Sequence, residues 1–259
     1  MVRKQFIKLP YYMLICVLLV QFSCKSDEIK FHDNILVVVA HPDDETLISG
    51  TLAKLVDRGY SVIVTFTTSG DDGHDVSGQG LSGADLARER EQEARKSLNG
   101  LGIHHPPIFL KFPDSHVNEH IDELKNALLD VFKKVDPVVV ISFGPDGITD
   151  DLDHQMTGFV TDHVFDITDS GKLLLHMAIS QKVSKKFPIR APVDNSAINL
   201  RVDVSAYKQA RIMSNDAHRT QFPHMFRQRW NSYVHQVATE EFIIARNRRG
   251  EQLIQNCFF

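Results

Sequence analysis

Within residues 41–45 the chain sets His41, Pro42, Asp43, Asp44 and Glu45 side by side. A neutral imidazole with a carboxylate supplies two thirds of a His/His/carboxylate set, the ligand mix that suits Zn²⁺ and related divalent ions. Asp43 lies between the two candidate ligands, His41 and Asp44, where it could take a proton from water polarised by the ion. That chemistry is hydrolysis. The blander reading is a charged helix N-terminus, in which an acid caps the first turn. Capping needs one acid rather than the whole His-Pro-Asp-Asp-Glu run, and Glu45 is the residue that fits it, with a supporting role behind the ligands.

Such side chains need a scaffold that brings several loops to one place. Apolar, β-branched runs at 35–40, 61–68, 107–112 and 137–144 predict strands buried on both faces. Helix-length segments at 45–58, 84–99 and 119–135 separate them. Further strands are predicted at 173–180 and 240–247, and a helix at 205–215. Strand, helix, strand at this spacing gives βαβ units and an α/β layered fold with a mostly parallel sheet. In such sheets ligands bind beyond the carboxyl ends of the strands. There the chain places "HPDDE" (41–45), "SGDDGHD" (69–75), "FPDSH" (112–116) and "FGPDGITDDLDH" (143–154). Pro42 predicts a turn before the first helix, and His154 is the best-placed third ligand. The glycine-rich stretch 69–83 reads as a loop. Residues 181–235, interrupted by prolines at 188, 192 and 223, are the least regular part.

The chain has 259 residues, 42% hydrophobic and 24% charged, which predicts one main domain, placed at 34–259. Residues 1–23 do not belong to it. Three basic residues and no acid precede the apolar run "MLICVLLV", too short to span a bilayer but suited to a signal peptide. Ser23 before Cys24 resembles a bacterial lipoprotein signal, with Cys24 as lipidated mature N-terminus and 24–33 as a short tether. This predicts an exported protein attached to the membrane through its N-terminal lipid, at the periplasm or cell surface. Without Arg3, Lys4 and Lys8 the 29 basic residues become 26 against 33 acidic ones, a net charge of −7. Such acidity argues against nucleic acid as a partner. Beyond Cys16 and Cys24 the mature chain keeps Cys257 alone, so it can form neither an intrachain disulfide nor a thiolate metal cluster.

"AHPDDE" (40–45) resembles the signature of the PIG-L/LmbE family of zinc-dependent de-N-acetylases, which act on N-acetylglucosaminyl-phosphatidylinositol and other sugar conjugates. The resemblance extends from about residue 34 to 222. It includes "ARERE" with "EARKSLNGLGI" (87–103), "FPDS", "LDH" and "DAHRTQF" (216–222). It implies a Rossmann-like three-layer sandwich and metal-assisted removal of an acetyl group from an N-acetylglucosamine-type sugar or small glycoconjugate. His41, Asp44 and His154 would then bind Zn²⁺, or another divalent ion such as Fe²⁺. Asp43 would be the general base, while Asp71, Arg88 and Asp114 would hold the sugar or its aglycone. For Arg88 the plainer reading is a solvated helix face.

One departure stands out. Where the family has His-Pro-Asp-His, this chain has Asp151, Leu152, Asp153 and His154. The family's first histidine steadies the oxyanion, and an ionised carboxylate donates no hydrogen bond. The role must pass to another group, with His74, His116, His176 and His218 as candidates, or the reaction is altered. Asp153 keeps the family's acid and is placed to orient a histidine. Two other functions remain: a metal-retaining, sugar-binding surface protein that has lost catalysis, and, more weakly supported, a metal-dependent phosphoesterase. The second generally needs more bridging carboxylates than this set provides.

Overall fold

The computed structural model describes residues 33–187, 192–249 and 251–259. The signal-peptide and lipid-anchor expectations rest on residues 1–24 and lie outside the described residues. Five parallel strands, β1 (Asn34–Val39), β2 (Ser61–Thr68), β3 (Ile108–Phe112), β4 (Pro137–Phe143) and β5 (Leu173–Ala178), build the sheet. Two more strands extend it: β6 (Leu200–Asp203) and β7 (Thr239–Asn247), with β7 antiparallel to both β5 and β6. The order across the sheet is β3-β2-β1-β4-β5-β7-β6.

Burial on both faces explains why these strands read as unbroken apolar runs. Ile35, Val37 and Val39 of β1 belong to one core, shared with α1 (Ser49–Asp57), α2 (Gly83–Gly100) and α8 (Glu251–Phe258). The alternate residues Leu36 and Val38 belong to the opposite core, filled by α3 (Ile121–Val135) and α4 (Leu152–Ile167). The result is helix, sheet, helix in three layers, as expected. Truncating a fully buried residue such as Leu128 to alanine would cost about 2–5 kcal/mol.

Three further α-helices lie between β5 and β7: α5 (Gln181–Ser184), α6 (Lys208–Ala217) and α7 (His224–Gln236). The predicted helix 45–58 divides into a 3₁₀ helix, Asp44–Ile48, followed by α1. The N-terminus of α1 is capped from a distance: Gly50 and Thr51 donate their N–H groups to the Glu240 carboxylate of β7, at 3.0 and 2.7 Å. No described helix is long and apolar enough to cross a membrane.

From β1 the chain winds outward to β2 and β3, then crosses back to lay β4 on the other side of β1. The loops leaving β1 and β4 therefore diverge at the sheet's switch point, where an open α/β sheet forms a crevice. His41 follows β1, and His154 follows β4.

Candidate metal and catalytic site

The two histidines meet in that crevice. His41 Nδ1 lies 3.1 Å from His154 Nε2, and Asp44 Oδ1 lies 3.1 Å from the same His154 nitrogen. Asp44 Oδ2 stands 3.7 Å from His41 Nδ1 and accepts the His41 backbone N–H at 2.7 Å. A tetrahedral ion about 2.1 Å from each ligand would hold its ligand atoms about 3.4 Å apart. The three side chains satisfy that spacing.

The outer nitrogens decide the chemistry of the inner ones. His41 Nε2 lies 2.9 Å from Asp114 Oδ1, a carboxylate that only accepts, so this nitrogen carries the proton. His154 Nδ1 lies 2.9 Å from the Gly147 carbonyl, which likewise fixes its proton, and 2.9 Å from the Thr149 hydroxyl. The His154 ring also stacks on Phe143, with centroids 4.1 Å apart. Both imidazoles therefore aim bare lone pairs at each other and at a carboxylate, an arrangement a cation relieves. His41, Asp114 and Asp153 form a second close group, but there His41 presents an N–H, so that group supports the first rather than holding an ion of its own.

The local electrostatics agree. Burial pulls His41 and His154 down, but carboxylates outweigh it and raise both, Asp114, Asp153 and Asp44 acting on His41 and Asp44 on His154. Burial pushes Asp44 up, yet His154 and His41 hold its pKa at about 2. The cluster draws positive charge toward itself.

Asp43 does not cap the helix. It occupies the N-cap position of the 3₁₀ helix, yet its side chain makes no capping bond. Its backbone sits at φ 153° and ψ −16°, which costs a non-glycine residue of order 1–3 kcal/mol. Thr46 holds it there, donating its N–H and its hydroxyl to the Asp43 carbonyl at 3.0 and 2.6 Å. The strained turn leaves the carboxylate clear of the helix and beside the candidate ligands. Burial, working against Arg90, pushes the Asp43 carboxyl up to about 6.

Arg90, which sequence reasoning passed over, supplies the charge facing Asp43. Its Nη2 lies 3.4 Å from Asp43 Oδ1, and its Nη1 donates to the Gly70 carbonyl at 3.1 Å. Gly70, at φ 70°, has no side chain for a reason: a Cβ there would collide with the guanidinium. Arg88, the expected arginine, is 69% exposed and paired with Asp85. Two helical positions turn a side chain by about 200°, so Arg88 and Arg90 face opposite ways, and only Arg90 lines the cavity.

The other expected sugar-holding residues also differ in their placement. Asp114 lines the cavity, but besides His41 its carboxylate holds the Asp72 N–H at 3.2 Å. Asp71 accepts from the Asp114 N–H at 3.4 Å and leaves the cavity wall to Asp72 and Gly73. Asp153 lies 3.6 Å from His41 Nε2 and clamps the N–H groups of Ser115 and Val117 at 2.7 and 3.2 Å. Asp151 caps α4, its Oδ1 accepting from the N–H groups of Asp153 and His154 at 2.9 and 3.3 Å.

Of the four candidate replacement histidines, none lines the cavity. His218 is buried against Glu45, which therefore does more than charge a helix start: its Oε1 lies 2.6 Å from His218 Nε2. His176 pairs with Asp162 at 2.8 Å, and His116 with Glu119 at 3.1 Å on the surface. His74 is exposed.

The cavity that holds these candidate ligands has a volume of about 590 Å³, and its far wall is aromatic: Phe187, Phe222, Phe226, Trp230 and Tyr233. The wall comes from the 181–235 region, where no sequence periodicity announced it.

A doubly wound α/β sheet with a His/Asp/His cluster and a spare carboxylate at its switch point defines a class of metal-site protein. Residues 36–165 match the PIG-L family, described as GlcNAc-PI de-N-acetylase. The chain belongs to that family, whose deacetylases are metal-dependent. It is similar to the 1D-myo-inositol 2-acetamido-2-deoxy-α-D-glucopyranoside deacetylase of Saccharomonospora viridis, with 28% identity over 252 residues, 81% of this chain and 93% of the relative. In fold it resembles the N,N'-diacetylchitobiose deacetylase of Pyrococcus horikoshii, with TM-score 0.65 and 22% identity over 85% of this chain and 86% of that one. The 4-carboxy-2-hydroxymuconate hydratase of Pseudomonas putida shares the fold equally, at TM-score 0.65 and 16% identity, covering 85% and 99%. The fold thus carries more than one chemistry, and function must be argued from the site.

Proposed function

We propose that the protein is a metal-dependent hydrolase that removes the acetyl group from an N-acetylglucosamine-type sugar or small glycoconjugate. The observation that carries this is the facing pair of lone pairs on His41 and His154, closed by Asp44, with the Asp43 carboxylate beside them and Arg90 behind it. Two nitrogens and one carboxylate suit Zn²⁺, and Fe²⁺ is the alternative. Bound there, the ion supplies a Lewis acid that polarises the acetyl carbonyl and lowers the pKa of water.

The protein's own groups do the rest. Asp43 accepts a proton from water as its oxygen adds to the carbonyl carbon, and Arg90 steadies the carboxylate for that work. As the C–N bond breaks, Asp43 returns the proton to the leaving amine, giving acetate and a free amino sugar. Asp114 and Asp153 hold His41 in the tautomer that keeps Nδ1 bare.

Asp151, standing where the family has a histidine, favours a second reading: a sugar-binding protein that retains the metal without turnover. The phosphoesterase reading weakens, because the second group of ligands is closed by the His41 N–H. Acetate release from a panel of N-acetylhexosamine conjugates, compared with Asp43→Ala, tests the assignment. Release at the Asp43→Ala background across the panel sinks it.

We also propose export and lipid anchoring at Cys24, supported by the apolar run and Ser23-Cys24 alone. Cys24→Ala should move the protein from the membrane fraction to the soluble fraction of the expressing bacterium. An unchanged distribution counts against the anchor.

A further inference from the structure

The two segments that supply the cavity's aromatic wall have a charge unlike the rest of the chain. Residues 179–187 and 217–239 hold six basic residues, Lys182, Lys185, Lys186, Arg219, Arg227 and Arg229, and no aspartate or glutamate. The whole chain has 29 basic residues against 33 acidic ones, so this cationic stretch is a local feature. Lys182, Lys185, Lys186, Arg219 and Arg229 are exposed. Among the described residues only Arg227 of the six has an acidic partner, Asp216, at 3.6 Å. Asp194, the first acid after α5 in the sequence, is taken up by the Ser196 N–H and hydroxyl.

Apolar groups stand among these cations. Met225, in the first turn of α7, is 75% exposed, more than any other large apolar side chain among the described residues. Gln228, Arg229 and Ser232 are exposed at helical spacing from it, while Trp230, Tyr233 and Val234 turn into the protein. The lysine-bearing segment is packed against the same helix. Val183 and Phe187 join the apolar cluster of Trp230, Tyr233 and Val234, and Phe187 meets Phe226 edge-on at a centroid distance of 5.2 Å. The Arg229 guanidinium lies 6.0 Å from the Phe187 ring. The lysines, the arginine and the methionine therefore ride on one packed unit.

Unpaired cations around a protruding apolar side chain match the border of a bilayer, where charged headgroups overlie acyl carbon. A soluble polyanion would satisfy the lysines but leave Met225 in water. Charge also fixes the orientation. The cavity itself is lined by aspartates, with Asp72 and Asp150 exposed among them, so an anionic surface is drawn to the outer side of the wall and not into the cavity. Each Lys or Arg held near an anionic leaflet contributes about fivefold in affinity.

We infer that the exposed face of α5 and α7 docks on an anionic bilayer surface, with Lys182, Lys185, Lys186 and Arg229 at the headgroups and Met225 inserted among them. The inference rests on neither the deacetylase reading nor the Cys24 anchor. An anchor tethers the chain to any bilayer, whereas this face selects a bilayer by charge and turns one side of the domain to it.

The test uses the full chain with two kinds of vesicle: phosphatidylcholine alone, and an equal mixture of phosphatidylcholine and phosphatidylglycerol. Acetylation of lysines, mapped by peptide mass, reports which side of the domain faces the lipid. On the mixed vesicles Lys182, Lys185 and Lys186 should react at least about threefold more slowly than on the neutral ones. Lys133 and Lys134 of α3, in the opposite helix layer, should keep their rates, and high salt should remove the difference. Combining Arg229→Glu with Met225→Ala should abolish most of the protection while leaving every lysine in place. Equal rates on the two vesicles, or equal slowing of Lys133 and Lys134, overturns the docking face. So does protection that the double variant, folded by circular dichroism, retains in full; if that variant loses its fold, Arg229→Gln takes its place under the same criterion. Soluble polyphosphate is the remaining control, and protection by it as strong as that by the mixed vesicles overturns the lipid assignment in favour of a general polyanion site. Acetate release is measured apart from this: a failed reaction assignment leaves the footprint standing, and an absent footprint leaves the reaction standing.

Discussion

Arg90 and Asp43 face each other at 3.4 Å, with the arginine almost wholly buried and the aspartate held in a strained turn. Losing the guanidinium leaves a buried carboxylate without its countercharge, and such loss is costly. Arg90→Met should lower kcat/KM by about 100-fold or more, because the base is then misplaced and more readily protonated. Arg88→Ala should leave kcat/KM unchanged and shift stability by less than about 0.5 kcal/mol. Steady-state kinetics and thermal melts of both variants check this, and equal effects would count against the assignment.

Arg88 and Arg90 also show where the sequence stops being readable. "ARERE" places two arginines on one helix, and only the phase of that helix against the sheet decides which turns inward. The strands were legible because burial on both faces leaves long β-branched runs, and "HPDDE" was legible because its composition exceeds what capping needs. β6 has only four residues, with burial alternating along them, and so gives little signal. α4, "LDHQMTGFVTDHVFDI", carries a glycine and several β-branched residues, so helix propensity alone argues against it. Its Gly158 sits where a Cβ would press to 2.6 Å from the Phe143 carbonyl, so packing against β4 selects the residue. The aromatic wall comes together only through tertiary structure, from the 181–235 region, where prolines interrupt the periodicity.

Metal binding should depend on residues that do not touch the ion. Asp114→Asn weakens the hold on the His41 N–H and should lower metal affinity about 10–100-fold, with Asp153→Asn in the same range. Competition with a chromophoric chelator measures both. Saturating metal at about 1,000 times its Kd should stabilise the fold by about 4 kcal/mol, a gain that chelation removes from the melting curve. Wild-type affinity in both variants would show that His41 needs no help from behind.

The buried pair of Glu45 and His218 should set part of the pH dependence of stability. Burial pulls the imidazole down, but Glu45, with Asp43 and Glu93 behind it, raises it above its ordinary 6.5. A raised histidine contributes stability that is fully present below the unfolded value, near 6.5, and is lost as pH rises through the folded one. Urea unfolding should therefore show this contribution shrinking on the alkaline side of pH 6.5, and Glu45→Gln should flatten the slope. Because Glu45→Gln leaves a buried partner exposed to desolvation alone, it should also cost about 3–5 kcal/mol. A slope identical in the variant would remove His218 from the account.

Cys257 offers an independent check on the docking of α8. The thiol is wholly buried, and burial pushes its pKa up to about 11. The thiolate is the reactive form, so native protein at pH 8 should alkylate at residue 257 very slowly, and promptly once unfolded. Peptide mass mapping after iodoacetamide treatment distinguishes this thiol from any other. Fast native labelling would mean that α8 leaves the sheet readily.

Asp151 carries two roles in one position, and substitution can separate them. As the cap of α4 it holds the N–H groups of Asp153 and His154, so it positions one ligand and one supporting carboxylate at once. Asp151→Ala should cost about 1 kcal/mol and weaken metal binding with it. Asp151→Asn keeps an acceptor for both N–H groups, so stability should stay within about 0.5 kcal/mol of the parent. It also adds an amide donor at the cavity wall, in the position where the resemblance expects a donating histidine. If the missing family histidine limits turnover, kcat should rise in Asp151→Asn while KM and metal content stay constant. A fall in kcat with stability and metal unchanged would mean that the carboxylate itself serves the reaction, and that the enzyme has adapted to aspartate rather than tolerated it.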